Sequence, residues 1–258
     1  MKRTKKLTMC SLMLLTIALT AVSCMPEIKV FSDRPTVTQV RPLKGFERID
    51  IFGSPTVIYK QGDAFSVKVK GPEDQVNKII TELDGPTLMI RNKGKIGIVN
   101  ISLTAQEHLE VYVTSPDLTS IRLDGSGDFI SDQKIDTDNM QITLRGSGDI
   151  DISDLICDHC VTEVVGSGDL SVDRLEAKTS MVSLVGSGDV SLKQVNVHST
   201  DITLKGSGDI SVDFEKDCHE VQAYLAGSGD ITMKGYVKKC SQQKSGSGDI
   251  DTSQLTVE

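Results

Sequence analysis

The sequence lacks tryptophan altogether, and aromatic residues make up only 4% of its 258 positions. Sugar-binding sites commonly use aromatic rings as stacking surfaces, so this scarcity argues against a sugar-stacking site. An excess of positive charge is also missing. The formal net charge is −8, and it falls to about −12 if the four basic residues before Leu7 are removed. Nucleic-acid-binding proteins carry basic patches, so we expect no nucleic-acid partner.

Catalytic motifs are missing as well. The four histidines are scattered along the chain: His108, His159, His198 and His219. No nucleophile motif occurs between a strand and a helix. A polysaccharide lyase needs a local cluster of acid, base and arginine, whereas Arg122, Arg145 and Arg174 do not recur with the evenly spread acids. We therefore predict a non-enzymatic protein, with a polysaccharide-active, lyase-like enzyme as the alternative.

The N-terminus reads as a secretory leader. A basic start is followed by a largely apolar run from Leu7 to Ala21, which is typical of a signal peptide over 1–23. No later segment is apolar enough for a transmembrane helix. The stretch Ala21-Val22-Ser23-Cys24 resembles a bacterial lipobox, which would make Cys24 the lipidated first residue; ordinary secretion with Cys24 as a bystander is the alternative.

The residues after Cys24 bear on location and on where the folded part begins. Met25 is not the aspartate that retains such lipoproteins at the inner membrane, so we predict an outer-membrane lipoprotein of the cell envelope, facing the periplasm or the outside. Pro26 and Pro35 discourage regular structure, so 24–41 is predicted to be a tether and 42–258 the folded domain.

Against these absences stands one abundant feature, a Gly-Ser-Gly-Asp motif that occurs seven times. Successive copies are separated by 21, 20, 20, 20, 21 and 19 residues. A fixed period of this length indicates a repeat architecture. The first glycines of the copies, predicted to be structural turn residues, are Gly125, Gly146, Gly166, Gly186, Gly206, Gly227 and Gly246.

Apolar residues alternate with polar ones on both sides of each motif, which predicts strand, turn and strand. Such a short unit cannot bury its apolar face alone, but stacking the units at about 4.8 Å makes a continuous core. We therefore predict an all-β fold, a parallel β-helix with about 20 residues per coil, in which Leu184 and Leu204 are neighbours. The end coils depart from the pattern, with Ser131 in the first and Gln242, Lys244 and Thr252 in the last.

The part before the repeats, 42–120, is less regular than the repeat region 121–258. Short strands are predicted on either side of Gly53-Ser54-Pro55, and further strands at Val99–Leu103 and Leu109–Val113. The segment Glu73–Leu83 has apolar residues at helical spacing and an acidic first turn, which predicts one short helix. No flexible linker separates the halves, so the simplest interpretation is one continuous β-structure.

The order of these segments resembles a known family of bacterial envelope proteins. The segments are Phe46–Ile49, Tyr59–Gly62, the amphipathic stretch, Thr87–Ile90, Val111–Leu118 and then the Gly-Ser-Gly-Asp repeats. In this order they resemble the putative auto-transporter adhesin, head GIN domain family. The resemblance implies a β-helix similar to pectin-lyase-like folds, with the glycine turns at a corner between sheets and a role in adhesion. It brings no established catalytic residues.

Each motif ends in an aspartate, and stacking would line these aspartates up along one corner. They are Asp128, Asp149, Asp169, Asp189, Asp209, Asp230 and Asp249. One interpretation is that each carboxylate accepts hydrogen bonds from backbone amides of its own turn. The alternative is a column of calcium sites at Asp149, Asp169, Asp189 and Asp209, because Ca²⁺ prefers carboxylate and carbonyl oxygens. We otherwise expect no cofactor.

The four cysteines beyond Cys24 suggest packed thiols or a disulfide. Cys157 and Cys160 lie three coils from Cys218, roughly 14 Å by strand spacing, which is too far to share a zinc ion. Cys218 and Cys240 fall at similar places in adjacent coils, so a disulfide between them is geometrically feasible.

A further column of residues follows each motif and points outward. It contains Asp151, Ser171, Ser191, Ser211, Thr232 and Asp251. This column is either a solvated strand face or a hydroxyl ladder that binds an ordered partner. We predict a binding or adhesion module with a rigid surface, whose partners are the membrane through an N-terminal lipid and a host or envelope glycan or protein. A self-associating structural envelope protein is a further alternative, with a homo-oligomer as its form.

Overall fold

The structure is a computed structural model, and it describes residues 35–93 and 109–258. The predicted leader 1–23, Cys24, His108 and the predicted strand Val99–Leu103 lie outside these ranges. Within them, no helix has the length and apolar character needed to cross a membrane. The described residues between Pro35 and Glu258 form one compact unit.

The described chain is almost entirely β-structure. The elements are β1 Thr36–Arg41, β2 Arg48–Gly53, β3 Thr56–Gln61, β4 Ser66–Pro72, α1 Glu73–Val76, β5 Ile79–Asp84, β6 Thr87–Asn92, β7 Glu110–Ser115, β8 Ser120–Gly125, β9 Asp128–Asp136, β10 Asn139–Gly146, β11 Asp149–Gly166, β12 Leu170–Gly186, β13 Val190–Val195, β14 Ser199–Gly206, β15 Ile210–Gly227, β16 Ile231–Gly246 and β17 Ile250–Val257.

The predicted parallel β-helix is confirmed. Strands one period apart pair in parallel and in register, so that Leu184 lies beside Leu204 and Gly186 beside Gly206. The inward positions on both sides of the corner are buried along the stack, as at Leu204 and Ile210. Because each coil repeats the same alternation, the apolar columns meet in one dry core.

Each coil has three surfaces. The leading face consists of the strand segments that run into the first glycine of each motif, such as residues 181–186. The trailing face consists of the segments after the motif, such as residues 190–193. The return segment, such as residues 194–200, closes the coil. All these segments lie in β-strands or in short links between them.

The N-terminal part continues the same stack. Gly53 pairs with Gly125 and Thr56 with Asp128, so Gly53-Ser54-Pro55 forms a corner directly below the first repeat. Strands β6 and β7 lie one layer further out, parallel to β2 and β3. Antiparallel strands then cover this end: β5 pairs with β6, β4 with β7, and β1 with β4.

Two sequence-based predictions are wrong in this part. The predicted helix Glu73–Leu83 is helical only from Glu73 to Val76, and Ile79–Asp84 is a strand paired with β6. The β-branched run at Ile79-Ile80-Thr81 suits a strand, and pairing with β6 satisfies its backbone groups. The predicted tether 24–41 is also too long, because Thr36–Arg41 pairs with β4 and belongs to the folded unit.

Candidate functional site: the glycine corner and the trailing face

The corner of each coil is held by the carbonyl oxygen of the first glycine in the coil before it. In the coil of Gly186, the amides of Ser187 and Gly188 both donate to the oxygen of Gly166, at 2.8 and 3.2 Å. The same pair of bonds recurs along most of the stack. Two donors per carbonyl explain why the corner keeps one geometry in these coils.

Both glycines of each motif leave no room for a side chain. A Cβ on Gly186 would lie 2.0 Å from the oxygen of Gly166, and one on Gly188 would lie 2.0 Å from the oxygen of Gly168. The first glycine also has a positive φ, +145° at Gly186, which residues with a side chain rarely adopt. Positive φ, the reason apparent from the sequence, applies to the first glycine only. The second depends entirely on how closely the coils approach.

The aspartates form a ladder between coils. Oδ1 of Asp169 accepts the backbone N–H of Asp189 at 2.8 Å, and Oδ1 of Asp189 accepts that of Asp209 at 3.1 Å. The pattern repeats from Asp149 to Asp249 with distances between 2.7 and 3.1 Å. The prediction that each carboxylate binds an amide of its own turn is therefore wrong, because the amide belongs to the next coil.

This ladder bears on the predicted calcium column at Asp149, Asp169, Asp189 and Asp209. One oxygen of each of these carboxylates already accepts a backbone amide. Across 35–93 and 109–258, no three histidine, cysteine or acidic side chains converge in a way that would hold a metal ion. The calcium column stays a prediction, and the geometry gives the aspartates a structural role of their own.

The trailing face presents a polar surface with the period of the coils. Ser171, Ser191, Ser211 and Thr232 lie one above the other in register. At its start, the hydroxyl of Ser171 donates to Asp151 at 2.6 Å. The next outward column contains Lys193, Asp213 and Lys234, in which Lys234 pairs with Asp213 at 3.2 Å. Hydroxyls and alternating charges thus repeat along a rigid sheet.

The family follows from the whole of this chain rather than from one site. The family model described as "Putative auto-transporter adhesin, head GIN domain" matches residues 45–217 and again 177–258. The chain belongs to this family. The two matches together span the stacked coils, so the head GIN domain is the solenoid itself.

Solved structures with the same fold carry related descriptions. A "putative adhesin" from Bacteroides fragilis is 25% identical with a TM-score of 0.72, and the match covers 84% of this chain and 96% of that one. A "Putative lipid binding protein" from Parabacteroides distasonis is also 25% identical, with a TM-score of 0.66 and coverages of 86% and 97%. A "putative adhesin" from Parabacteroides merdae, 16% identical with a TM-score of 0.67, shares the fold. No curated protein matches the chain significantly.

Among residues 35–93 and 109–258 of the head GIN domain, no cysteine forms a disulfide. Cys157, Cys160 and Cys218 are buried and Cys240 is half-buried. The predicted Cys218–Cys240 disulfide is wrong, because a register shift after Phe214 places Cys218 opposite Val237 and Cys240 opposite Val221. A hydrogen bond with Cys160, together with burial, raises the pKa of the Cys157 thiol. A thiol with a raised pKa in an apolar core is unreactive.

One arginine lies in a cluster of acids that the sequence analysis did not predict. Arg174 pairs with Asp154 at 2.8 Å and also with Glu176, which in turn accepts a bond from Asn196 at 3.0 Å. The Asn196 amide, followed by Arg174, lowers the pKa of Glu176. The sequence spacing could have predicted this cluster, because Asp154, Arg174 and Asn196 are about one coil apart. Both acids are ion-paired to the arginine, which is the arrangement of a structural network.

The histidines are less scattered than predicted. The rings of His198 and His219 lie 4.8 Å apart in adjacent coils, whereas His159 contacts Thr179 through Nδ1 at 2.8 Å. Nζ of Lys238 lies 3.2 Å from Nε2 of His219. These exposed contacts again have the period of the coils.

Proposed function

We propose that this head GIN domain is a non-enzymatic binding module that holds a repeating polar ligand against its trailing face. The observation that carries the proposal is the column Ser171, Ser191, Ser211 and Thr232, whose members recur once per coil. Strand spacing puts neighbouring hydroxyls about 4.8 Å apart on a sheet that cannot bend easily. A preorganised row of polar groups loses little entropy on binding.

The ligand class that suits this face is a polysaccharide of the envelope or of a host. Its hydroxyls can exchange hydrogen bonds with the serine column. Its acidic substituents can compete with Glu215 for Lys193 and with Asp213 for Lys234, the exposed ion pairs at 2.8 and 3.2 Å. Aromatic stacking is not required for such a surface. The descriptions of the B. fragilis and P. merdae relatives as adhesins support a binding role of this kind.

Affinity electrophoresis through gels that contain neutral or acidic polysaccharides tests the proposal. The wild-type chain is expected to be retarded by at least one polymer. Replacing Ser191 and Ser211 with tyrosine disturbs the column, and we expect the retardation to fall about tenfold, which corresponds to about 1.4 kcal/mol. Thr179→Tyr on the return segment is the matched control. No retardation by any polymer, or equal losses in both variants, would overturn the proposal.

We further infer that the module is anchored in the outer membrane through a lipid on Cys24. The lipobox-like sequence and the family's occurrence in envelope proteins support this inference. Cys24→Ala is expected to move the protein from the membrane pellet to the soluble fraction. Protease treatment of intact cells then reports whether the domain faces the outside.

The lyase-like alternative rests on the cluster of Arg174 with Asp154 and Glu176. It predicts unsaturated products from uronate polymers, with loss of their ultraviolet absorbance in Arg174→Ala. Because the guanidinium of Arg174 is bound by two carboxylates, we expect no such products from the wild-type chain.

A further inference from the structure

The leading face carries an exposed aliphatic patch, defined here as Val161, Val165, Met181 and Val185. Val161, Met181 and Val185 are 41%, 51% and 40% exposed, and Val165 is half-buried. Val161 pairs with Met181 and Val165 with Val185, so the four side chains stand in two columns across two coils. Exposed apolar residues that cluster in this way mark interaction surfaces more often than isolated ones do.

Between the two columns, the positions in the C-terminal half of the patch hold small side chains. Ser183 lies between Met181 and Val185, and Thr203 lies beside Ser183 in the next coil. Small side chains at these positions let a second flat surface approach the sheet closely.

Two charges border the patch. Asp201 follows Met181 in the first column, and Lys205 follows Val185 in the second. Both residues are on β14, four positions apart, which is about 13 Å along a strand and too far for them to pair with each other. Within 35–93 and 109–258, neither makes a hydrogen bond or an ion pair through its side chain. They are left available for an outside partner of matching charge.

We propose that the partner is a second copy of this chain, bound face to face through the aliphatic patch. The two copies are related by a two-fold axis that runs parallel to the solenoid axis. This rotation lays the first column of one copy on the second column of the other. Met181 then meets Val185, and Asp201 meets Lys205, twice over because of the symmetry.

The charges select this orientation over the other two-fold arrangement. An axis perpendicular to the solenoid axis would bring Arg145 against Lys205, since these residues lie in the same column on opposite sides of the patch. Like charges that face each other oppose binding. Among the coils from Arg145 to Lys205, the parallel arrangement has one like-charge contact, Glu163 against itself. Arg145 offsets it, because it forms an ion pair with Glu163 at 3.4 Å in each copy.

The pairing goes beyond the proposed polysaccharide binding, because it uses a different face of the coil. It leaves the trailing faces of both copies free, so each dimer would present two of them. The parallel axes also direct the N-terminal strands of both copies to the same end. This direction suits two chains anchored in one membrane. The pairing of Asp201 with Lys205 does not require the anchor.

Sedimentation equilibrium tests the proposal on the mature chain with Cys24→Ser, which cannot be lipidated. The wild-type surface is expected to give dimers. Met181→Glu is expected to weaken dimerisation at least tenfold, as are Asp201→Lys and Lys205→Asp singly. The double reversal Asp201→Lys with Lys205→Asp restores the facing pairs, so dimerisation is expected to return. Thermal unfolding followed by circular dichroism verifies that each variant is folded.

A cross-linking experiment tests the position of the axis. Ser183 lies between the two columns and faces its counterpart across a sheet-to-sheet distance of about 10 Å, which is too long for a disulfide. Ser183→Cys is therefore expected to be joined between copies by a short bismaleimide cross-linker. Ser191→Cys on the trailing face is the matched control and should stay monomeric on denaturing gels after the same treatment. A monomeric wild type, a dimer indifferent to Met181→Glu, or a double reversal that fails to restore pairing would overturn the proposal. A monomer that binds phospholipid vesicles through Met181 would also overturn it, because the patch would then bind a membrane and not a second copy.

Discussion

At the scale of single residues, the spacing between coils is determined by backbone contacts at the corner glycines. A carbonyl oxygen of one coil occupies the space that a Cβ at a corner glycine of the next coil would need. Real Cβ atoms do not approach oxygen to about 2 Å, so a larger residue must push two coils apart. The cost of such a change spreads over every hydrogen bond between those coils.

Gly188→Ala isolates this effect, because Gly188 has no positive φ to confound it. We expect the variant to lose about 3 kcal/mol or more of unfolding free energy. Urea denaturation measures this loss. The control is Ser187→Ala, a substitution of the neighbouring, exposed residue of the same corner. Ser187→Ala is expected to change stability by about 0.5 kcal/mol or less. Equal stability of Gly188→Ala and wild type would show that the coils can separate without cost.

Asp189→Ala removes one rung of the aspartate ladder, since Oδ1 of Asp189 accepts the amide of Asp209 at 3.1 Å. We expect a loss of about 1 kcal/mol. Asp189→Asn keeps an oxygen acceptor, so its loss should be smaller. Melting temperatures with and without calcium separate this role from ion binding. We expect calcium to leave the wild type unchanged; a rise that Asp189→Ala abolishes would favour the calcium column instead.

Tyr59 links pH to stability. Its ring is fully buried, and its hydroxyl donates to Ser115 at 3.0 Å, because the Ser115 proton goes to the oxygen of Asp117. Burial raises the pKa of Tyr59 from 10.0 to about 12. The neutral form is therefore favoured in the folded state. The stability it contributes is complete below pH 10 and is lost as the pH rises towards 12.

The Tyr59→Phe variant removes this ionisation. Near neutral pH it should be less stable by about 1 kcal/mol, because the hydrogen bond to Ser115 is lost. Above pH 10 the wild type weakens and the variant does not, so the two denaturation midpoints should converge. A constant difference across this range would mean that Tyr59 does not control alkaline unfolding.

At the scale of elements, one strand carries a polar residue into the core. Gln194 of β13 lies between Leu175 and Phe214 in a buried column. Its amide nitrogen donates to Ser180 at 3.0 Å, and its oxygen accepts from Thr200 at 2.6 Å. All three side chains are fully buried or nearly so, and they satisfy one another.

Gln194→Leu is expected to cost about 2 kcal/mol or more, because it leaves the hydroxyls of Ser180 and Thr200 buried without Gln194. Adding Ser180→Ala and Thr200→Val removes those hydroxyls, so most of the loss should be recovered. Denaturation of the single and triple variants measures both steps. A triple variant less stable than the single one would mean that packing, not hydrogen bonding, dominates this column.

At the scale of the whole molecule, the coil of Gly246 differs from those before it. Its inward positions hold Gln242, Lys244 and Thr252 in place of aliphatic residues, and Lys244 pairs with Asp249 at 2.8 Å. Polar residues at such positions discourage a further coil from stacking on the edge. The same property limits end-to-end growth, in contrast to the side-by-side pairing of two copies through the aliphatic patch.

The combined variant Gln242→Ile, Lys244→Leu and Thr252→Val restores the apolar columns of the coil. We expect it to form larger particles with rising concentration, measured by multi-angle light scattering. Gln243→Ile points outward and is the control, with the size of the wild type. If the combined variant kept the wild-type size, polar inward residues would not be what limits growth.

Short-range sequence patterns determine much of this architecture. The alternation around each motif, the glycine turns and the period near twenty determine a stacked coil, because side-chain direction in a strand depends only on position along it. For the same reason, the inward columns containing Leu204 and Ile210 could be assigned from the sequence. The family resemblance arose from the same regularity.

Only the tertiary structure decided which distant groups meet. It placed Gly53 under Gly125, gave five of the seven motif aspartates an amide of the next coil, set Cys218 opposite Val237, and turned Ile79–Asp84 into a strand. These outcomes depend on register between segments that are about 20 or more residues apart, or on an edge that another strand offers. A local pattern gives each segment its faces, but packing between coils chooses the neighbours of those faces.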